Sequence, residues 1–223
     1  MLMLTKKTPK PGLPLRKSPN PSALMHEDLA KGMKEFWSEA DPSDCPLAPG
    51  LVYESGFMRL DNPSQLLREK LKGRRLVDLG AGNTGSITAM AHLAAALGAS
   101  EYIAVDAYVN YERAEGLLDN FVGQSYPQMV LRALNDDMLL FLAKLEDGCA
   151  NVVMNSIDRC MLVAPSHLIA EMYGLELASE IARVVPDGGI AFGVNSPNLE
   201  RLLRFGFRGK IETPGYIFTK GGQ

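Results

Sequence analysis

Leu76-Val77-Asp78-Leu79-Gly80-Ala81-Gly82-Asn83-Thr84-Gly85 is the stretch that decides how this chain folds. Its first four residues, apolar apart from Asp78, read as a strand. Three glycines in six positions read as a turn, and Ile87, Met90, Leu93, Ala94 and Leu97 then recur at helical spacing until Gly98. Gly80 permits a tight reversal at the strand end, Gly82 lets backbone approach a ligand with no Cβ in the way, and Gly85 lets helix and strand pack closely. Unpaired N–H groups at the helix start favour an anionic group. A second apolar strand, residues 102–105, ends in Asp106, twenty-one positions beyond Gly85. An acid there accepts hydrogen bonds from a ribose diol, although the same acid also suits a turn or a helix cap. Turn, helix start and acid together fit an adenosine-containing cofactor.

Working outward, strand and helix patterns alternate from Arg75 onward. A helical region with Tyr111, Ala114, Leu117, Leu118 and Phe121 precedes a strand over residues 129–134. A helix over 137–145, a strand over 151–154 and a long helix containing Leu168, Leu175, Ile181 and Val184 follow. The Pro186-Asp187-Gly188-Gly189 turn leads into a fifth strand, 190–194. Parallel strands need crossover helices, so this alternation predicts an α/β sheet covered on both faces.

Upstream, residues 1–21 hold five prolines and five Lys or Arg residues and no acid, the composition of a mobile basic arm. Such an arm suits an acidic partner or RNA, or is a solvated tail. Residues 22–64 read as a helical extension: Ser22 caps a helix through about Glu39, and Pro63 opens a second short helix ending near Gly73. Trp37, Tyr53 and Phe57 are candidates for a lid; the alternative is that the first helix simply packs on those of the sheet. Residues 65–223 form the ligand-binding domain.

Composition narrows the classes. The chain has 223 residues, 46% of them apolar, enough for one core, and a net charge of −3 gives no footprint for DNA. No apolar run is long enough for a bilayer. Cys45, Cys149 and Cys160 lack the spacing of a metal cage or redox pair, and His26, His92 and His167 are scattered, so no metal site is expected. A cytoplasmic protein with free thiols is the expectation.

Dinucleotides and S-adenosylmethionine both use a glycine turn of this kind. Here the residues resemble the class I S-adenosylmethionine-dependent methyltransferase family, over roughly residues 65–220. Asp78 stands two residues before Gly80, where that family places an acid. Asn135-Asp136-Asp137-Met138 follows strand three, and Val184-Val185-Pro186-Asp187-Gly188-Gly189-Ile190 resembles the family's turn before strand five. Leu202-Leu203-Arg204-Phe205-Gly206-Phe207 and Gly215-Tyr216-Ile217-Phe218-Thr219-Lys220 are similar to its last helix and closing hairpin.

The resemblance implies a doubly wound, mostly parallel seven-stranded sheet, Rossmann-like, with a C-terminal antiparallel hairpin. It also implies roles. Gly80, Ala81, Gly82, Thr84 and Gly85 face the methionine moiety, whose amino group Asp78 reaches directly or through water; Asp78 as a buried acid tying the glycine loop is the alternative. Asp106 takes the ribose hydroxyls, with Ala107 and Tyr108 beside the adenine. Asp137, or else Asp136, accepts from the adenine amine, with Met138 adjoining, and Asn155 and Ser156 close the floor. Asp158, just past strand four, is the candidate catalytic residue for a small-molecule or protein acceptor, or else a surface acid paired with Arg159. A non-catalytic S-adenosylmethionine-binding subunit or sensor is the competing function. A nicotinamide-dependent oxidoreductase fits less well, because Asp78 stands where such enzymes carry an apolar residue.

Overall fold

A computed structural model of the chain describes residues 10–39, 63–82, 84–107, 111–154, 168–194, 201–212 and 215–221. The strands are β1 (Arg75–Leu79), β2 (Glu101–Val105), β3 (Val130–Leu134), β4 (Asn151–Met154), β5 (Ile190–Val194), β6 (Phe207–Glu212) and β7 (Gly215–Lys220). The helices are α1 (Ala23–Glu39), α2 (Pro63–Leu71), α3 (Thr84–Ala96), α4 (Tyr111–Leu117), α5 (Met138–Lys144) and α6 (Leu168–Val184). A π-helical turn, Leu118–Val122, prolongs α4, and a 3₁₀ turn, Leu202–Phe205, precedes β6.

All seven strands form one sheet in the order β3-β2-β1-β4-β5-β7-β6. The first five are mutually parallel, and β7 runs antiparallel to both of its neighbours. Apolar residues occupy β1, β2 and β4 almost throughout because these strands are covered on both faces. Alternation sorts their side chains. Val77, Leu79, Ile103, Val105, Val152 and Met154 share one core with α1, α5 and α6. Leu76, Tyr102, Ala104, Val153 and Phe192 share the other with α2 and α3. Asp78 lies between Val77 and Leu79 in β1 and so belongs to the face of Leu76 and Tyr102.

The expected last helix over residues 202–207 is a single 3₁₀ turn. Gly206 takes φ +81° and ends it, and Phe207 already pairs with Lys220 as the first residue of β6. Close backbone approach explains two glycines: a Cβ at Gly193 of β5 would overlap the Met154 carbonyl of β4, and one at Gly209 in the hairpin the Ile217 carbonyl.

Helix α1 buries Leu29, Ala30 and Met33 in the core it shares with α5 and α6, so it packs on the helices of the sheet. Gly32 lets Ile169 of α6 approach to 3.0 Å from where a Cβ would stand. Trp37's side chain, Tyr53 and Phe57 lie outside the described residues. From residue 10 on, the segment expected as a mobile arm lies against the domain. Leu15 bridges Leu145, and the Pro14 carbonyl accepts from the Glu146 N–H at 2.8 Å. The Pro11 carbonyl accepts from the Arg132 guanidinium, and Lys10 pairs with Glu115 at 2.6 Å. Proline lacks a donor but keeps its acceptor, and the domain uses two such carbonyls together with the Arg16 N–H, which donates to the Lys144 carbonyl at 2.8 Å.

Candidate functional site

Gly80 (φ +61°) and Gly82 (φ +74°) reverse the chain at the end of β1. A Cβ at Gly82 would meet only Ser86, 3.9 Å away, so packing does not demand glycine there. Its backbone conformation does, and the glycine leaves that side of the loop open. The buried Ala81 donates its N–H to the Val105 carbonyl at 3.2 Å, and the Gly82 N–H donates to Asp106 Oδ2 at 2.9 Å. Asp106, not Asp78, therefore ties the glycine loop. The Asp106 N–H donates in turn to the Leu134 carbonyl, joining the carboxyl ends of β1, β2 and β3. Ala107 is exposed beside it.

Asp78 is 2% exposed. Its Oδ2 accepts from the Tyr102 hydroxyl at 2.6 Å, and its Oδ1, also buried, has no hydrogen-bond partner among the described residues. Burial pushes its pKa from 3.8 up to about 7, the Tyr102 hydrogen bond pulling down and the charge of Asp106 adding to the rise. A buried acceptor without a partner costs about 1–3 kcal/mol, so this oxygen is strained unless something donates to it.

At the end of β3, Asp137 is the N-cap of α5. Its Oδ1 accepts from the N–H groups of Leu139 (2.9 Å) and Leu140 (3.1 Å), and its Oδ2 from the Tyr173 hydroxyl (2.9 Å). Burial raises its pKa against these bonds, and burial raises that of Tyr173, with the Asp137 charge adding to it. Asp136 Oδ1 accepts from the Asp137 N–H at 3.0 Å, while Oδ2 pairs at 2.6 Å with the exposed Lys144. Met138 opens the helix, half-buried.

The structure thus gathers Asp78, Gly80, Ala81, Gly82, Asp106, Ala107, Asp136, Asp137 and Met138 at the carboxyl ends of β1, β2 and β3. Thr84 and Gly85 open α3, their side chains undescribed. Tyr108, Asn155, Ser156 and Asp158 lie outside the described residues. Two residues escaped sequence reasoning, Tyr102 and Tyr173. The available signal was a tyrosine among aliphatic core residues, in strand β2 for Tyr102 and in helix α6 for Tyr173, whose hydroxyl must find a partner. Among the described residues no group of His, Cys, Asp or Glu is placed to hold a metal, and no helix is long and apolar enough to cross a membrane. His26 is buried with Nε2 3.3 Å from Glu176, and His92 stacks edge-on against Tyr126.

Strand order then distinguishes two sheet topologies. β1 pairs with β2 on one side and with β4 on the other, so the chain reverses direction across the sheet at β1, and ligands bind outside the carboxyl ends at such a point. A dinucleotide-binding sheet runs 3-2-1-4-5-6. Here an antiparallel β7 is inserted between β5 and β6. This is the class I methyltransferase fold.

No protein-family model and no curated protein matches the sequence. Among solved structures, the chain is similar to an rRNA methylase from Streptococcus thermophilus (14% identity, TM-score 0.45, covering 71% of this chain and 94% of that one). It is also similar to a ribosomal protein L11 methylase from Lactobacillus delbrueckii subsp. bulgaricus (15%, 0.47, 71% and 77%). A third is a SAM-dependent O-methyltransferase from Thermotoga maritima (13%, 0.42, 78% and 72%). The methyltransferase fold rests on the sheet order; at these identities and TM-scores the likenesses add nothing on substrate.

The site fits the adenosyl-sulfur cofactor in two respects. An ammonium on an amino-acid tail supplies the donor that Asp78 Oδ1 lacks among the described residues, and the open side of Gly82 lets backbone approach that tail.

Proposed function

We propose that the chain is an S-adenosylmethionine-dependent methyltransferase acting on a small molecule or a protein side chain. The observation that carries this reading is Asp78 Oδ1, a buried acid oxygen without a partner among the described residues, two positions before the glycine turn at the β1 switch point. Bound S-adenosylmethionine supplies a methyl group on a sulfonium, whose departure leaves a neutral thioether. The protein's task is therefore alignment and exclusion of water.

In this reading Asp78 accepts from the cofactor's ammonium and Asp106 from the ribose hydroxyls. Ala107 and Tyr108 flank the adenine. Asp137 Oδ1 is filled by two helix N–H groups and its Oδ2 takes the Tyr173 hydroxyl, so the adenine amine falls to Asp136. Its ion pair with Lys144 is exposed and cheap to rearrange. Asn155 and Ser156 close the floor, and Asp158 deprotonates a hydroxyl acceptor or orients an amine.

The test is turnover. Purified protein is incubated with methyl-labelled S-adenosylmethionine and separate pools of small molecules, proteins and RNA. Release of S-adenosylhomocysteine with label in the small-molecule or protein pool is the expected result. Label in RNA alone would move the acceptor class toward a partner of the basic N-terminal segment. Binding without turnover in any pool would favour a sensor or partner subunit instead.

A further inference from the structure

We propose that Tyr102 is a positioning residue for the cofactor site: by donating to Asp78 Oδ2 it leaves Oδ1 as the acceptor for the ammonium of an amino-acid-bearing ligand. The proposal rests on the reading of the site given above and goes beyond it, because it assigns a role to a β2 residue level with Leu76, four positions before Gly80, and a pH dependence to binding.

The geometry comes from sheet register. Leu76 pairs with Tyr102 and Asp78 with Ala104, so the Tyr102 ring starts opposite Leu76 and reaches one diagonal along the same face to Asp78. The tyrosine is fully buried, and its hydroxyl meets the carboxylate at 2.6 Å. A phenol that donates to one oxygen holds the carboxyl orientation and leaves the other oxygen to accept from a ligand. The remaining wall offers none among the described residues: Val153 of β4 is the register partner of Asp78 on the other side, and it is apolar. Among the described residues, the titratable groups that act on Asp78 are Tyr102 of β2, through its hydrogen bond, and Asp106 at the β2 end, through its charge.

With burial raising the Asp78 pKa to about 7, the ligand-free protein carries this group largely protonated below neutrality. An ammonium needs the carboxylate. Binding of an ammonium ligand below that pH therefore releases a proton, and affinity climbs as pH rises through neutrality. Removing the Tyr102 hydroxyl removes the contact that favours the charged form, which moves the transition to higher pH.

The experiment is calorimetric titration of S-adenosylhomocysteine and of 5′-methylthioadenosine into wild type, Tyr102→Phe and Asp78→Asn, at pH values on both sides of neutrality and in buffers of different ionisation enthalpy. 5′-Methylthioadenosine keeps the ribose and adenine but has no amino-acid tail, so it controls for Asp106 and for general damage. For wild type, S-adenosylhomocysteine should bind more tightly with rising pH and release protons below neutrality. In Tyr102→Phe the midpoint should move up by about one pH unit, weakening binding about fivefold at neutrality and recovering at mildly alkaline pH, where the ligand's ammonium is still protonated. 5′-Methylthioadenosine should show neither effect, and Asp78→Asn should abolish the pH dependence.

S-adenosylhomocysteine binding with a flat pH profile, or a Tyr102→Phe loss equal for both ligands at every pH, would overturn the proposal and leave the cofactor reading standing. Failure of wild type to bind either ligand would overturn the cofactor reading itself, and this proposal with it.

Discussion

Two buried carboxylates sit at opposite ends of the same strands and are treated in opposite ways. Glu101, 4% exposed at the start of β2, has both oxygens engaged: Arg75 Nε donates to one at 2.5 Å and Arg132 Nε to the other at 2.7 Å. Arg75 also donates to the Cys149 carbonyl and Arg132 to the Pro11 carbonyl, so the network closes the lower edge of the sheet. Asp78, 2% exposed near the end of β1, has one neutral donor and one oxygen without a partner among the described residues. A satisfied buried charge belongs to the fold, whereas an unsatisfied one is stabilised only by what binds to it.

The largest expected effect tests the satisfied end. Glu101→Ala leaves two largely buried guanidinium groups facing each other and should destabilise the protein by about 3–5 kcal/mol, read by denaturant unfolding. Protein that remains folded should bind S-adenosylhomocysteine as before. A loss below about 1 kcal/mol would break the contrast.

Asp78→Asn should behave in the opposite sense. The folded-state pKa of about 7 lies above the ordinary 3.8, so between these values the unfolded chain gives up the proton while the folded one keeps it. Stability of the ligand-free wild type therefore declines as pH rises from about 4 to about 7, by on the order of 2–4 kcal/mol, and then levels off. The variant should lack this decline and, in alkali, be no less stable than wild type. Unfolding curves over that pH window check it.

Asp106→Ala, next in size, removes the acceptor for Gly82 and for the proposed ribose contact. Calorimetry should show S-adenosylhomocysteine affinity falling about 30-fold, or about 2 kcal/mol, with a smaller cost to stability. Full retention would displace the pocket. Gly82→Ala is the smallest: the added methyl meets nothing closer than Ser86 at 3.9 Å, so the cost is the left-handed backbone, about 1–2 kcal/mol in melting experiments.

Periodicity and glycine turns made the parallel core legible in the sequence because buried parallel strands announce themselves as apolar runs. The 201–207 segment misled for a physical reason. Leu202, Leu203 and Phe205 suit a helix, but Gly206 in the left-handed region and the ladder to β7 take over after one turn. Asp106 was legible as a candidate from its offset to the glycine turn, and Asp78 only through the family resemblance. The partners that give them meaning were not, since Tyr102 reaches Asp78 only through register between strands. Asp137 shows the same limit: sequence offered two adjacent acids, and only the helix start and Tyr173 assign one of them to capping. Proline carbonyls that dock residues 10–21 leave no trace in composition.

The central claim is that the unsatisfied end of the sheet is an adenosyl-sulfur cofactor site. It is tested most directly by titrating S-adenosylmethionine, S-adenosylhomocysteine and NAD separately into the purified protein at mildly alkaline pH. Binding of both sulfur ligands in the micromolar range with no NAD signal is the predicted result. Binding of NAD alone, or of none of the three, would contradict it.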